Sequence, residues 1–80
     1  MPRYVLEGRR DVRMWCYYVG RGGLITTQPE SALILGSLAE SKKEVDHWRR
    51  YRNEYRWTIG KLRTRVSVLQ GVMSAEEIDY

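Results

Sequence analysis

The stretch from residue 37 to residue 55 constrains the fold most, because it predicts one long amphipathic helix. Ser37 and Glu40 stand at the spacing of a capping box, in which the serine hydroxyl accepts a hydrogen bond from the Glu40 backbone N–H. No Gly or Pro interrupts the positions that follow. One side of this helix carries an apolar stripe, made of Leu38, Val45, Trp48 and Tyr55 with Ser41 and Arg52 in the gaps. A single stripe needs one partner surface, which the rest of the chain must provide.

Two segments before the helix predict an antiparallel hairpin. Residues 3–6 form a short β-like run, residues 7–11 a polar turn, and residues 12–19 a strand rich in aromatic and β-branched residues. Strand alternation divides the second segment into two faces, Met14, Cys16 and Tyr18 against Arg13, Trp15, Tyr17 and Val19. The face with Trp15 is too apolar to be simply solvated. It is either a partner surface or covered by another part of the chain.

Further short elements flank the helix. Residues 24–27 predict a third strand, and Pro29 starts a single helical turn. After the helix, residues 61–69 alternate clearly, and the face expected to lie under the helix consists of Leu62, Thr64, Val66 and Val68. Residues 70–80 are predicted to form an acidic tail or a short helical turn, because a second capping-box spacing begins at Ser74.

These elements predict a small α+β fold. A small antiparallel sheet in β-β-(β)-α-β order carries one amphipathic helix packed on one face. The 80 residues form a single domain, with a folded core over residues 3–69.

The composition argues against a metal site, an internal disulfide and an enzyme. Cys16 and His47 are the single cysteine and the single histidine, too few for a disulfide or a four-ligand zinc site. The sequence offers no matched base and nucleophile, so we predict no catalytic residue and no cofactor. Cys16 is predicted to be a buried structural thiol. The chain shows no signal peptide and no apolar run that could cross a bilayer, which predicts a soluble cytoplasmic protein.

The charge distribution carries the main functional signal. Residues 42–65 hold nine basic side chains against three acidic ones, whereas the end of the chain is acidic. Arginine suits bidentate contacts with phosphate or carboxylate and stacking on aromatic rings. Tyr51 lies beside the apolar stripe and is the best candidate for an exposed aromatic anchor. The predicted partner-binding residues are Lys42, Lys43, Arg49, Arg50, Tyr51, Arg52, Arg56, Arg63 and Arg65.

An ordinary solvated helix face is the alternative explanation of these charges. The net charge is only +4, and acidic residues are interspersed so that pairs such as Asp46 with Arg50 can form one helical turn apart. If the surface is functional, replacing Arg49 and Arg50 by Glu is expected to abolish partner binding and to leave the fold intact.

The order of local signals resembles a group of phage proteins. The second strand carries Tyr17-Tyr18-Val19, a glycine turn leads into Leu24-Ile25-Thr26, and Ala32-Leu33-Ile34-Leu35 precedes the Ser37 cap of a charged helix. Over residues 4–69 the chain is similar to small β-β-α-β proteins common in phage genomes, and anti-CRISPR proteins are often of this size and kind. The resemblance implies a non-enzymatic inhibitor in the cytoplasm of an infected bacterium. Its partner would be a host defence protein or ribonucleoprotein complex, such as a CRISPR effector, whose nucleic-acid access it blocks.

Two other functions stay open at this level. A small basic module would bind nucleic acid through phosphate contacts with little sequence specificity. A phage structural protein would associate with itself through the second aromatic face of the hairpin. The expected oligomeric state is a monomer or a homodimer.

Overall fold

A computed structural model describes residues 2–10, 15–62 and 75–80. The elements of the described residues are β1 (Arg3–Arg9), β2 (Cys16–Val19), β3 (Ile25–Thr26), α1 (Leu38–Tyr51), β4 (Arg56–Leu62) and β5 (Ala75–Ile78). The strands make one antiparallel sheet in the order β3-β2-β1-β4-β5, and α1 packs across β1 and β4. The α+β class predicted from the sequence is confirmed.

β1 and β4 are the central strands and determine which side chains meet α1. They pair along their full length, from Arg3 opposite Leu62 to Arg9 opposite Arg56. Because side chains alternate across a strand, directly opposed residues share one face of the sheet.

The main core lies between α1 and one face of this central pair. Val45 and Trp48 of α1 pack with Leu6, Trp57 and Ile59 in one buried cluster. Fully burying a valine, leucine or isoleucine side chain contributes about 1.5–3 kcal/mol relative to its exposed state, so these contacts hold the helix on the sheet.

The start of α1 follows the predicted cap. The Ser37 hydroxyl oxygen accepts a hydrogen bond from the Glu40 N–H at 3.1 Å, and the helix begins at Leu38. Ser41, the polar residue within the apolar stripe, is fully buried and donates its hydroxyl to the Ser37 carbonyl at 2.8 Å. Its hydrogen bond is therefore satisfied within the helix itself.

α1 ends at Tyr51, earlier than the predicted end at Tyr55. Arg52 leaves helical geometry with φ −125° and ψ 69°, and its carbonyl accepts a hydrogen bond from the Trp57 indole N–H at 3.0 Å. This bond joins the end of the helix to β4 and fixes the reversal of the chain. Tyr55 is buried, as the stripe predicts, but it reaches the core from the connection between α1 and β4.

The hairpin is confirmed in its antiparallel pairing, but its boundaries differ from the prediction. β1 continues to Arg9, so the predicted turn at residues 7–11 begins too early. Residues 11–14, which include Arg13 and Met14, lie outside the described residues.

The second face of the hairpin is largely covered. Tyr17 and Val19 pack against the main core under α1. Trp15, just before β2, is 62% exposed. The sequence allowed this face to be either a partner surface or covered by another part of the chain. Tyr17 and Val19 are covered, whereas Trp15 is exposed.

The segment between β2 and α1 closely follows the prediction. β3 is shorter than residues 24–27 and covers Ile25–Thr26. The helical turn expected at Pro29 is the 3₁₀ turn Pro29–Ser31. The chain then runs beside β1, where Leu35 and Tyr4 exchange two backbone hydrogen bonds of 2.8 Å.

The predicted strand over residues 61–69 is described only at its start. Lys61 and Leu62 belong to β4, which begins at Arg56, and residues 63–69 lie outside the described residues. Leu62 was expected to pack under the helix, and this is wrong. Leu62 lies opposite Arg3, and Arg3 and Val5 point to the same face of β1 because side chains alternate along a strand. Leu62 therefore packs with Val5 on the face of the sheet away from α1.

The end of the chain forms a strand, so the predicted helical turn is wrong for the residues described there. Ala75–Ile78 is β5, an edge strand in which Glu76 lies opposite Lys61 and Glu77 opposite Gly60. A capping-box spacing is a local signal, and backbone pairing with β4 overrides it.

Candidate nucleic-acid interface

The topology brings five arginines to one end of the sheet. β1 ends there, β4 begins there, and α1 ends there, because only residues 52–55 separate α1 from β4. The register of the central strands places Arg9 opposite Arg56. We call this group the arginine end, defined as Arg9, Arg10, Arg50, Arg52 and Arg56.

Arg9 and Arg56 bring two like charges face to face in the sheet. Both residues are exposed, and directly opposed like charges destabilise a strand pair. Glu7 offsets this in part, because its Oε2 lies 4.0 Å from the Arg9 guanidinium. The pair therefore retains an attraction for an additional anion.

The other strand-end arginine, Arg10, lies on the ring of Tyr55. Its guanidinium carbon is 5.8 Å from the ring centroid, and that of Arg52 is 5.5 Å from the same centroid. Arg52 Nε also donates to Glu54 Oε1 at 3.0 Å, which raises the pKa of Arg52 and lowers the pKa of Glu54. The ring of one buried tyrosine thus contacts two cations.

A chain of aromatic rings supports this end of the molecule. Tyr55 lies 5.1 Å from Tyr17 and 5.1 Å from Trp57, and Trp57 lies 5.5 Å from Trp48. The chain reaches the surface at Tyr51, whose centroid is 5.5 Å from that of Trp48. Arg10 and Arg52, which contact Tyr55, therefore rest on a packed group of aromatic rings.

Four of the predicted site residues lie at or next to the arginine end. Arg50, Arg52 and Arg56 are part of it, and Tyr51 is 65% exposed beside them, as the sequence indicates. Lys43 lies on the same outer side of α1 as Arg50, two helical turns away, and is exposed.

Arg49 and Lys42 face the end of the chain instead. Arg49 donates through Nε and a terminal nitrogen to the Trp57 carbonyl at 3.1 and 3.0 Å, and to the Tyr80 carbonyl at 2.7 Å. The Tyr80 ring lies 5.2 Å from Lys42 Nζ and 5.5 Å from the Arg49 guanidinium carbon. Arg49 is therefore a structural contact between α1, β4 and the C-terminal residue. The expectation that Glu at positions 49 and 50 leaves the fold intact does not fit this geometry.

Asp46 takes part in the same contact. Its carboxylate accepts a hydrogen bond from the Tyr80 hydroxyl at 2.8 Å, which raises the pKa of Tyr80. The ion pairs found among the described residues do not include the predicted pair of Asp46 with Arg50. Arg63 and Arg65, the remaining predicted site residues, lie outside the described residues.

The sequence analysis did not include Arg9 and Arg10 among the partner-binding residues. Residues 7–11 have the composition of a turn, and no local pattern tells which end of the helix a turn will meet. The available signal was the Arg-Arg pair itself, placed directly after a strand.

Cys16 and His47 each contact another side chain among the described residues. The Cys16 thiol is half-buried and donates to Glu7 Oε2 at 3.5 Å, and burial raises its pKa, which disfavours the reactive thiolate. His47 is exposed and stacks on Tyr51. Within the described ranges, no cluster of three or more side chains could hold a metal ion.

Comparison with known proteins identifies no relative of this chain. The chain matches no family model, no curated protein and no solved structure. Among the described residues, no helix is both long and apolar enough to span a membrane. The functional conclusion therefore rests on the geometry of the arginine end.

Proposed function

We propose that the protein is a non-enzymatic nucleic-acid-binding protein whose arginine end contacts backbone phosphates. The observation that carries this proposal is the exposed Arg9–Arg56 pair, in which the strand register places two arginines opposite each other. A phosphate between them would convert a repulsive contact into two charge-assisted hydrogen-bonding contacts.

The distribution of acidic residues supports the proposal. The five cations of the arginine end have Glu7 and Glu54 as acidic partners. Glu76 and Glu77 lie on β5, which pairs only with the second half of β4, away from Arg56. Among the described residues, the arginine end therefore carries more positive than negative charge, which favours contact with a polyanion.

Helix stabilisation explains only part of the arginine end. Cations in the last turn of a helix interact favourably with the helix dipole, which accounts for Arg50. Arg9, Arg10 and Arg56 lie on or beside strands, where no helix dipole favours them. We therefore propose these three arginines as the main contacts for an external phosphate.

The test is a fluorescence-anisotropy titration of a labelled oligonucleotide with matched double variants. Arg9→Gln with Arg56→Gln removes two charges from the arginine end. Arg3→Gln with Lys61→Gln removes two exposed charges from the opposite end of the same strands. Hydrogen bonds to charged groups contribute about 1.5–3 kcal/mol each, so the first variant is expected to bind at least about tenfold more weakly. Equal affinities of the two variants would show that the arginine end is not the site.

A second candidate function is the phage-type inhibitor of a host defence complex such as a CRISPR effector. We propose it as an alternative that places the protein in the cytoplasm of an infected bacterium. The supporting observation is that Trp15 and Tyr51 are 62% and 65% exposed, and that Arg50 and Arg52 are the chain neighbours of Tyr51. Tryptophan, tyrosine and arginine are the residues most often found in protein-interface hot spots.

Affinity purification from a bacterial host separates the two candidates. The tagged protein is recovered with and without nuclease treatment at moderate salt. A discrete protein complex that survives nuclease supports the inhibitor and names its target. Recovery of nucleic acid alone, lost after nuclease treatment, excludes the inhibitor.

A further inference from the structure

Tyr51 and His47 form an exposed pair of stacked rings at the end of α1. Their centroids lie 5.5 Å apart with an interplanar angle of 19°. Tyr51 is 65% exposed, so a large part of its ring remains open to solvent, and His47 is exposed as well. An open, flat aromatic surface is what a nucleic-acid base needs for stacking.

The buried core fixes the orientation of this pair. Trp48 meets Tyr51 at 73° and His47 at 88°, both as edge contacts, and is itself buried. Trp48 in turn packs on Trp57, which is 1% exposed. A ring held in this way loses little conformational freedom when a ligand binds, which favours affinity.

The stacked pair lies next to two members of the arginine end, Arg50 and Arg52. Arg50 and Arg52 flank Tyr51 in the chain, and the contact of Arg52 with Glu54 and Tyr55 holds its guanidinium group in place. A nucleotide carries its base and its phosphate close together, so one nucleotide can meet a ring and a guanidinium group at this site.

We infer that the preferred ligand is single-stranded nucleic acid, with an unpaired base stacked on Tyr51 while Arg50 and Arg52 of the arginine end contact the adjoining phosphates. This inference rests on the proposed nucleic-acid binding and specifies its ligand. A duplex offers the same phosphates, but its bases are already stacked on one another and cannot reach the ring.

A purely structural role for Tyr51 predicts different behaviour. Residues four positions apart on a helix stabilise it by about 0.2–0.5 kcal/mol when their side chains touch. Leucine at position 51 would preserve helix propensity and much of the apolar contact, and it would remove the aromatic face. Tyr51→Phe preserves the face and removes only the hydroxyl.

The experiment titrates the intact protein and both variants with a labelled single-stranded oligonucleotide and with its duplex, with circular dichroism confirming the fold. Tyr51→Leu is expected to weaken single-strand binding about 5- to 150-fold, the range for one lost base stack, and to change duplex binding less than about twofold. Tyr51→Phe is expected to bind single strands within about threefold of the parent protein.

The outcomes distinguish this inference from the proposal on which it rests. If Tyr51→Leu binds single strands as tightly as Tyr51→Phe, or if the parent protein prefers the duplex, base stacking at Tyr51 is wrong. The arginine variants then decide separately whether phosphate binding at the arginine end stands. If the parent protein binds neither form, both are wrong.

Discussion

Replacing Arg49 by Ala tests whether this arginine stabilises the fold while its exposed neighbour Arg50 does not. In the folded protein, Arg49 donates two hydrogen bonds to the Trp57 carbonyl and one to the Tyr80 carbonyl. The substitution removes all three and releases the contact between α1, β4 and the end of the chain. Arg50, the next residue, is exposed in the same helical turn and provides a matched control.

The expected loss of stability follows from these bonds. A hydrogen bond to a charged group contributes about 1.5–3 kcal/mol, and the three bonds of one half-buried side chain share that side chain's desolvation and entropy costs. We expect Arg49→Ala to lower the free energy of unfolding by about 1.5–2.5 kcal/mol and the melting temperature by about 6–20 °C. Arg50→Ala is expected to change the free energy of unfolding by less than about 1 kcal/mol, because only an exposed interaction with the helix dipole is lost.

Urea unfolding followed by tryptophan fluorescence measures both values, since Trp48 and Trp57 lie in the core. Arg49→Lys serves as a further control, because it keeps the charge but cannot make the two parallel contacts of a guanidinium group, and it should restore less than half of the loss. Nucleic-acid affinity should show the reverse order, with Arg50→Ala the weaker binder. Equal stability losses at positions 49 and 50 would refute the assignment of Arg49 as a structural contact.

Three further predictions concern the packing at Gly8, the cap at Ser37 and the half-buried thiol of Cys16. Gly8→Ala should destabilise the fold by about 1–3 kcal/mol in thermal unfolding, because a Cβ there would meet the Trp57 ring at 2.6 Å, whereas Gly36→Ala meets open space and should be nearly neutral. Ser37→Ala should cost about 1 kcal/mol through the lost cap, and an unchanged melting temperature would contradict it. Burial raises the pKa of Cys16 above its ordinary value near 9.0, so the folded state holds the thiol proton more tightly than the unfolded state. The stability this provides is complete below pH 9 and is lost as the pH rises through the folded-state pKa, so urea unfolding should show a decline above pH 9 that is smaller in Cys16→Ala.

The elements that local signals specify could be predicted from the sequence. The start of α1 depends on Ser37 and Glu40, which are close in the chain, and the hydrogen bond between them is present. The faces of α1 depend only on helical periodicity, which placed Val45 and Trp48 in the core. The end of α1 depends on the hydrogen bond from the Trp57 indole to the Arg52 carbonyl. Helix propensity does not include such a contact, so it could not predict where the helix ends.

The arginine end could be predicted only in part, because it depends on strand register. Arg50, Arg52 and Arg56 stand out as a basic run in the sequence, but Arg9 joins them through pairing with a residue 47 positions later. The same limit applies to β5, whose pairing with β4 replaces a locally favourable helical turn. In both places the outcome depends on which distant segments pair, and a capping-box spacing or a run of basic residues does not specify that pairing.

The salt dependence of single-strand binding shows whether the arginine end contacts phosphates. The observed binding constant is measured from low to moderate salt for the parent protein and for Arg9→Gln with Arg56→Gln. If all five arginines of the arginine end contact phosphates, a plot of log binding constant against log salt has a slope of about −3.5. The double variant should then give about −2.1, because two contacts are lost. A slope near zero, or the same slope for both proteins, would contradict phosphate binding at the arginine end.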